Sequence, residues 1–515
     1  MNYVDVARNL SSGKGLVQST LGFNQPFLFG PDSKIPAPFT SQPPLYPILI
    51  AAVSRLGIEQ AHSALLISGI AYGLLLLIAY HIVRRLYDGE AAVLAVGFLL
   101  VYPHLRSVAR FAWTETIGMS FVLLCLYLLL EIKNHMRSQK LGMLWSALIG
   151  LSAGLAFITR YALFPIFPIG AIVVLLTPRE KKSGLANLLM CLVGFTVPAF
   201  PVILHTYLAS GTLLPVALAS DWGLGPNLSS ALSLLFLKSV WSGLPGGRLS
   251  VGNDVQLGFS VMLLIGAVAL IVRSRRPRTL LNTLLLKDGR YLLLLWFCGY
   301  LGLLFYRRTV SHFDPVNVRL IFPAGIVLPV VFAALCTECL RSKVSKYNLH
   351  LSFLLLLVGC VMEIQIQRSW PVFRQEQYIA QSQRLHWITE STNGDDLIIG
   401  DDTVDVPFYL GRNAVSFSPY PYTIHLGYDR LVDFVSCHRH AYRNFYLVLL
   451  DHFWHKGPLE DDYGVFIADI IGGRLDSYQN IIYLGHLGAR RREDYPDLIY
   501  PESLDGVYVY RVLPR

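Results

Sequence analysis

The sequence predicts an α-helical polytopic membrane bundle followed by a C-terminal extracytoplasmic α/β domain. Three observations carry this expectation. The 515 residues are 53% hydrophobic and only 15% charged, with a mean hydropathy of +0.48 that soluble domains of this length rarely reach. The apolar residues gather in runs near the roughly 20 residues that a hydrocarbon core requires, unlike the short alternating strands of a membrane barrel. After Ile366 the long runs stop, and short strand-like stretches replace them.

Taken in order, residues 1–63 are expected to form a first extracytoplasmic loop, in which 45–57 is a short interfacial or re-entrant helix following Pro43-Pro44. About ten apolar segments come next, over 64–83, 91–105, 114–131, 142–159, 162–177, 185–208, 257–272, 291–306, 320–338 and 350–366. Each is long enough to span with some tilt. Residues 64–366 are thus the bundle and 367–515 the soluble domain. In that domain Asp396–Gly400, Phe445–Leu450, Ile481–Leu484 and Val507–Tyr510 read as strands, with helices expected near 377–391 and 462–472. Strands alternating with helices indicate an α/β arrangement.

The +9 formal charge does not point to nucleic acid, because the basic residues cluster in short loops between spans. One set of loops holds Arg84, Arg85, Lys133, Arg137, Lys140, Arg179, Lys181, Lys182, five basic residues over 273–287, Arg290, Arg341, Lys343 and Lys346. The alternate set holds roughly half as many, so the first set is cytoplasmic by the positive-inside rule. This places the first loop, the 209–256 loop and the tail outside. The seven cysteines are scattered, mostly in apolar runs, where a thiol behaves as a small hydrophobe.

Long outside loops held on a helical scaffold are where function is expected. Glu115, in Thr114-Glu115-Thr116 at the start of an apolar run, is the sharpest candidate. Ionisable residues at that depth are costly and tend to be functional, although a carboxylate at a helix N-terminus is also favoured by the macrodipole. Arg160 at a helix end has the geometry to fork onto a phosphate, or else to anchor the helix by snorkelling. Arg319 has the same two readings, and Arg106 and Arg110 are further charges of the outside loops. Gly13-Lys14-Gly15 is a turn and lacks the glycine spacing of a phosphate loop. Cys437-His438-Arg439-His440 has no neighbours to complete a metal site, and Asp395-Asp396 reads as a solvated loop pair.

Together these residues resemble the GT-C superfamily of integral-membrane glycosyltransferases, which includes protein O-mannosyltransferases and the lipid A aminoarabinose transferase. Tyr3, Asp5 and Ala7 match a family spacing, continued by Asn9-Leu10, Gly13 and Gly15. Gln42-Pro43-Pro44-Leu45 matches the element that closes the family's first loop. Thr114-Glu115 resembles the second-loop acidic motif, and Gly154-Leu155-Ala156 with Thr159-Arg160-Tyr161 a further signature. Asn317–Pro323 resembles the late Arg…Pro element. In this alignment the family's first acidic pair falls just before Met1. Asp5 matches the neighbouring acidic position, and Gln42 stands where some members carry Lys.

The resemblance implies transfer of a sugar from a polyprenyl-phosphate donor to a lipid, glycan or protein acceptor at the outer membrane face. Asp5 and Glu115 are the implied catalytic carboxylates, since a base must deprotonate the acceptor hydroxyl. Arg106, Arg110, Arg160 and Arg319 would stabilise the departing phosphate. Tyr3, Lys14, Gln42 and Tyr161 are expected to bind substrate. No cofactor is specified, no metal ligands are assigned, and a divalent metal is compatible with such a site. The location implied is a bacterial inner membrane. A transporter or flippase is the competing class; transporters usually show inverted repeats and polar or broken midplane helices, whereas here the ionisable residues gather at one face, which counts against transport. A catalytically inactive relative is the third reading. The even span count leads to the expectation that the natural chain begins upstream of Met1, with one more apolar helix and an acidic residue.

Overall fold

Backbone groups in hydrocarbon must find their hydrogen-bond partners within the chain, and the long apolar runs meet this demand as helices. In the computed structural model, residues 2–22, 36–40, 42–101, 105, 109, 114–135, 138–177, 181–213, 218–219, 289–312, 318–327, 330, 333, 337, 385–401, 410, 412–417, 428–450, 478–487 and 507–515 are described. The elements in chain order are α1 (Asn2–Ser11), β1 (Val17–Gln18), β2 (Thr20–Gly22), β3 (Ala37–Pro38), α2 (Leu45–Ser54), α3 (Gln60–Leu86), α4 (Gly89–Val101), α5 (Thr114–His135) and α6 (Gln139–Thr159). A 3-10 turn, Tyr161–Leu163, leads to α7 (Ile166–Leu176), α8 (Lys181–Ser210), β4 (Leu218–Ala219), α9 (Tyr291–Val310), β5 (Ser311–His312) and α10 (Val318–Gly325). The remainder comprises β6 (Leu397–Asp401), β7 (Ala414–Phe417), α11 (Tyr428–His438), β8 (Phe445–Leu450), β9 (Ile481–Leu487) and β10 (Val507–Val512).

The chain divides into two units. One comprises Met1–Phe39, Ile50–Gln60 and Ser369–Arg515; the other comprises Thr40–Leu49 and Ala61–Arg368. In the helical unit, four helices among the described residues are long and apolar enough to cross a membrane: Gln60–Leu86, Thr114–Ile132, Gln139–Thr159 and Ser183–Ser210. Shorter apolar helices cover Leu45–Ser54, Gly89–Leu100, Tyr161–Leu176 and Tyr291–Arg307. The expected spans 257–272 and 350–366 lie outside the described residues, and 320–338 is described only in part. Leu75, Val83, Leu99, Met119, Val122, Ile149 and Trp296 belong to one continuous buried core.

Glycines set the tightest contact in this unit. A Cβ on Gly150 would lie 1.9 Å from the Cys191 carbonyl oxygen, and one on Gly194 would lie 2.1 Å from that of Ala147. Gly150-Leu151-Ser152-Ala153-Gly154 is therefore a small-residue seam that lets α6 and α8 approach backbone to backbone, as membrane helices do when packing drives association.

In the other unit the sheet order is β2-β7-β6-β8-β10-β9. The β2/β7, β7/β6 and β6/β8 pairs are parallel, and β8/β10 and β10/β9 are antiparallel. Leu397, Ile398 and Ile399 are all fully buried, the continuous apolar run that a parallel strand covered on both faces requires. Helix α11 buries Leu431, Val432, Phe434 and Val435.

Three expectations change here. The first residues, read as loop, form α1, because Val4, Val6 and Ala7 are buried and polar bonds within the segment hold the turn. Asp396 is buried rather than solvated; it accepts from Asn393 N at 2.7 Å and from Asn444 Nδ2 at 2.7 Å. His438 is buried too, its Nδ1 at 2.8 Å from Phe434 O, so it belongs to the packing of α11.

Candidate active site

Helix α6 ends at Thr159, where Arg160 turns to extended backbone (φ −159°, ψ 115°) and starts the 3-10 turn. That break releases the Arg160 side chain from the helix surface. Its Nη1 donates to Oε1 of Glu115, in the first turn of α5. Thr114 Oγ1 donates to the other carboxylate oxygen at 3.3 Å. Glu115 is fully buried, whereas the Arg160 side chain keeps 13% exposure. A carboxylate removed from water in this way needs a cation and hydrogen bonds to remain charged, and Arg160 and Thr114 supply them.

The pair meets because α5 lies close to the end of α6. Gly118 is three residues beyond Glu115, so both lie on one helix face. A Cβ there would be 2.5 Å from Leu163 Cδ1 and 3.5 Å from Thr159 Cγ2, residues that bracket Arg160. Ser120 Oγ, further along α5, donates to Ala71 O of α3 at 2.8 Å and pins α5 on its other side.

The Pro43-Pro44-Leu45 element reaches the same end of the bundle. Leu45 packs against a cluster of Phe157, Ile158, Ala199 and Val202, which Tyr161 also joins. The Tyr161 ring lies 5.1 Å from that of Phe157. Tyr46 OH, buried, donates to Ala64 O at 2.9 Å and lies 3.2 Å from Ser68 Oγ, fixing α2 on α3. The Gln42 Oε1 and Thr116 Oγ1 atoms are buried and have no hydrogen-bond partner among the described residues. The backbone of Arg319 lies in α10, which packs on both α5 and α9; Trp296 Nε1 donates to Pro323 O at 3.0 Å to hold that contact. Arg106 and Arg110 lie outside the described residues.

Asp5 has its own surroundings in the other unit. It is 2% exposed, and its Oδ2 accepts from Ser19 N at 2.6 Å. Asn9 Nδ2 reaches Asp5 Oδ1 at 3.5 Å, Val17 O at 3.2 Å and Ser19 Oγ at 2.9 Å. Burial pushes the Asp5 carboxyl above its ordinary value of 3.8, opposed by the Ser19 hydrogen bonds and the positive charges of Arg8 and Lys14. Tyr3 stands edge-on to Phe39, their centroids 6.2 Å apart. Lys14 is exposed in a turn whose flanking Gly13 and Gly15 have φ of 80° and 87°. Only glycine adopts such angles without strain.

Among the described residues no group of three or more His, Cys, Asp or Glu is placed to hold a metal ion. Glu115, Arg160, Tyr161 and Gln42 were all legible as candidates, and the structure joins the first two directly. Gly118, Thr114 as a hydrogen-bond donor, and Ser19 were not singled out. A glycine one turn after a membrane-boundary carboxylate was the signal available for Gly118.

Residues 41–205 match the family model described as dolichyl-phosphate-mannose-protein mannosyltransferase. No curated protein sequence matches the chain significantly. Among solved structures the fold is similar to that of ArnT from Cupriavidus metallidurans bound to undecaprenyl phosphate, with a TM-score of 0.52 at 10% identity over 99% of this chain and 92% of that one. The apo state of ArnT gives a TM-score of 0.53 with the same identity and coverage. The Archaeoglobus fulgidus oligosaccharyltransferase in complex with Zn and sulfate gives 0.50 at 13% identity, over 88% of this chain and 64% of that one.

Proposed function

We propose, on the premise that the chain belongs to the GT-C superfamily of membrane glycosyltransferases, that it transfers a sugar from a polyprenyl-phosphate donor to an acceptor hydroxyl at the extracytoplasmic face. The observation that carries this is the buried Glu115–Arg160 ion pair at the α5 and α6 ends. Undecaprenyl phosphate bound to ArnT supports the donor class.

In this reaction the acceptor oxygen bonds the anomeric carbon while the anomeric bond to phosphate breaks. The electron pair leaves on the lipid phosphate, and the hydroxyl proton passes to a carboxylate. Arg160 stabilises the departing phosphate, approached from its exposed edge; a planar guanidinium suits two phosphate oxygens. Glu115 aims Arg160 through their ion pair. Asp5 takes the proton, since a carboxyl raised above its ordinary range is the better base near neutral pH. Tyr161 and Gln42 contact the sugar, a role supported by the partnerless Gln42 Oε1. Tyr3 and Lys14 bind acceptor or donor polar groups. Arg106, Arg110 and Arg319 add positive charge for the phosphate. The chain crosses a bacterial inner membrane several times, and its α/β domain stands on the extracytoplasmic side.

Purified protein in liposomes, given a radiolabelled polyprenyl-phosphate sugar and a mixed acceptor pool, is expected to release lipid phosphate and label an acceptor. Arg160→Ala should abolish transfer. Label crossing the bilayer with no new glycosidic bond would overturn the reading in favour of transport, as would undiminished transfer by Arg160→Ala in favour of another site.

A further inference from the structure

We propose that Ser19 is a positioning residue for Asp5, holding its carboxylate in one orientation and anchoring it to strand β7 of the C-terminal sheet. Three groups of this one residue do the work. Its N–H donates to Asp5 Oδ2 at 2.6 Å. Its Oγ accepts from Asn9 Nδ2 at 2.9 Å, and the same Asn9 nitrogen reaches Asp5 Oδ1. Its carbonyl accepts from Ala414 N at 3.0 Å, the first backbone bond of the parallel β2/β7 ladder. Ser19 is itself 6% exposed, and Asp5 and Asn9 are buried with it.

The arrangement is asymmetric at the carboxylate. Oδ2 is gripped by a short bond to a backbone donor that immediately precedes strand β2. Oδ1 has the longest bond in the group, so it is the oxygen presented for proton transfer. The Asp5 side chain is thereby set by residues about 400 positions away, where sheet formation fixes the Ser19 peptide. Besides Ser19, the charges that act on Asp5 are Arg8 and Lys14.

This inference rests on Asp5 taking part in transfer, and the test separates the two. Kinetics of Asp5→Asn, Ser19→Ala and Ser19→Thr are measured with the full chain across pH. Ser19→Ala keeps both backbone bonds and removes only the hydroxyl that ties Asn9 and Asp5 together; it is expected to lower kcat about tenfold with little change in KM, the size of one hydrogen bond to a charged group. Because the Ser19 hydroxyl helps to hold the Asp5 carboxyl down, its loss also moves the acid limb of the rate profile to higher pH. Ser19→Thr keeps the hydroxyl and restores both. Full activity in Asp5→Asn would remove the role of Asp5 itself. An inactive Asp5→Asn beside a Ser19→Ala with unchanged kcat and acid limb would overturn the positioning role of the Ser19 side chain alone.

Discussion

Gly118 faces Leu163 so closely that a methyl group on the glycine would lie 2.5 Å from Leu163 Cδ1. That contact adjoins the candidate ion pair, because Glu115 lies three residues before Gly118 and Arg160 three residues before Leu163. Gly118→Ala forces the Leu163 side chain aside, and overpacking of this kind costs about 1–3 kcal/mol. The variant is expected to melt earlier in detergent and to lose transfer activity. Leu163→Ala added to it should recover part of both, as a double-mutant cycle of thermal melts and rates will reveal.

The ion pair itself predicts non-additivity. Glu115→Gln leaves Arg160 without its counter-charge, and Arg160→Gln leaves Glu115 as a buried anion. Each single change is expected to cost about 3 kcal/mol or more. The double variant should cost clearly less than their sum, because no orphan charge remains. Denaturant titration of all four proteins measures this, and strictly additive losses would mean that the two groups are uncoupled.

A pH dependence of stability follows from Asp5. Its carboxyl is raised by burial, so the folded state binds the proton more tightly than the unfolded chain. Its contribution is fully present below the ordinary value of 3.8 and is lost as pH rises through the higher folded value. Asp5→Asn cannot ionise and should be more stable than the wild type near neutral pH, with the difference closing under acid conditions. Melting temperatures across that range test the sign.

The helix seam gives a contrast between glycines. Gly150→Ala would drive a methyl group into the Cys191 carbonyl, which is backbone and cannot swing away. The expected loss is about 3 kcal/mol or more, seen as collapse of folded yield. Gly73→Ala on α3 meets nothing within 4 Å. There the gain in helix propensity should stabilise by up to about 1 kcal/mol. Parallel expression of the two variants in detergent compares them directly.

Much of this was legible in the chain, for reasons that differ by residue. The apolar runs of α3, α5, α6 and α8 announce themselves because hydrocarbon admits little else. Strands β6, β8, β9 and β10 stood out as β-rich runs between polar stretches. Glu115 and Arg160 were each conspicuous as charges at apolar boundaries, but their pairing was not, since 45 residues separate them and the packing of α5 against the end of α6 brings them together. Helix α1 was hidden because its buried face mixes Val4 and Ala7 with Asp5 and Asn9, which look like loop residues until Ser19 completes their bonds. Asp396 was misjudged for the same reason: a carboxylate beside a turn looks solvated unless its donors, here Asn393 and Asn444, are known.

Strand β2 carries a consequence for how the protein is made. Thr20–Gly22 takes its place at the sheet edge only by pairing with Ala414–Phe417. During synthesis the N-terminal partner emerges first and must wait while on the order of 400 further residues are translated, among them the four helices long and apolar enough to cross a membrane. Closing so long a loop is slow, although its entropic cost grows only with the logarithm of its length. Until then the Ser19 carbonyl has no Ala414 amide to accept from. The nascent chain would therefore carry its long apolar helices before β7 is made and the surroundings of Asp5 are complete.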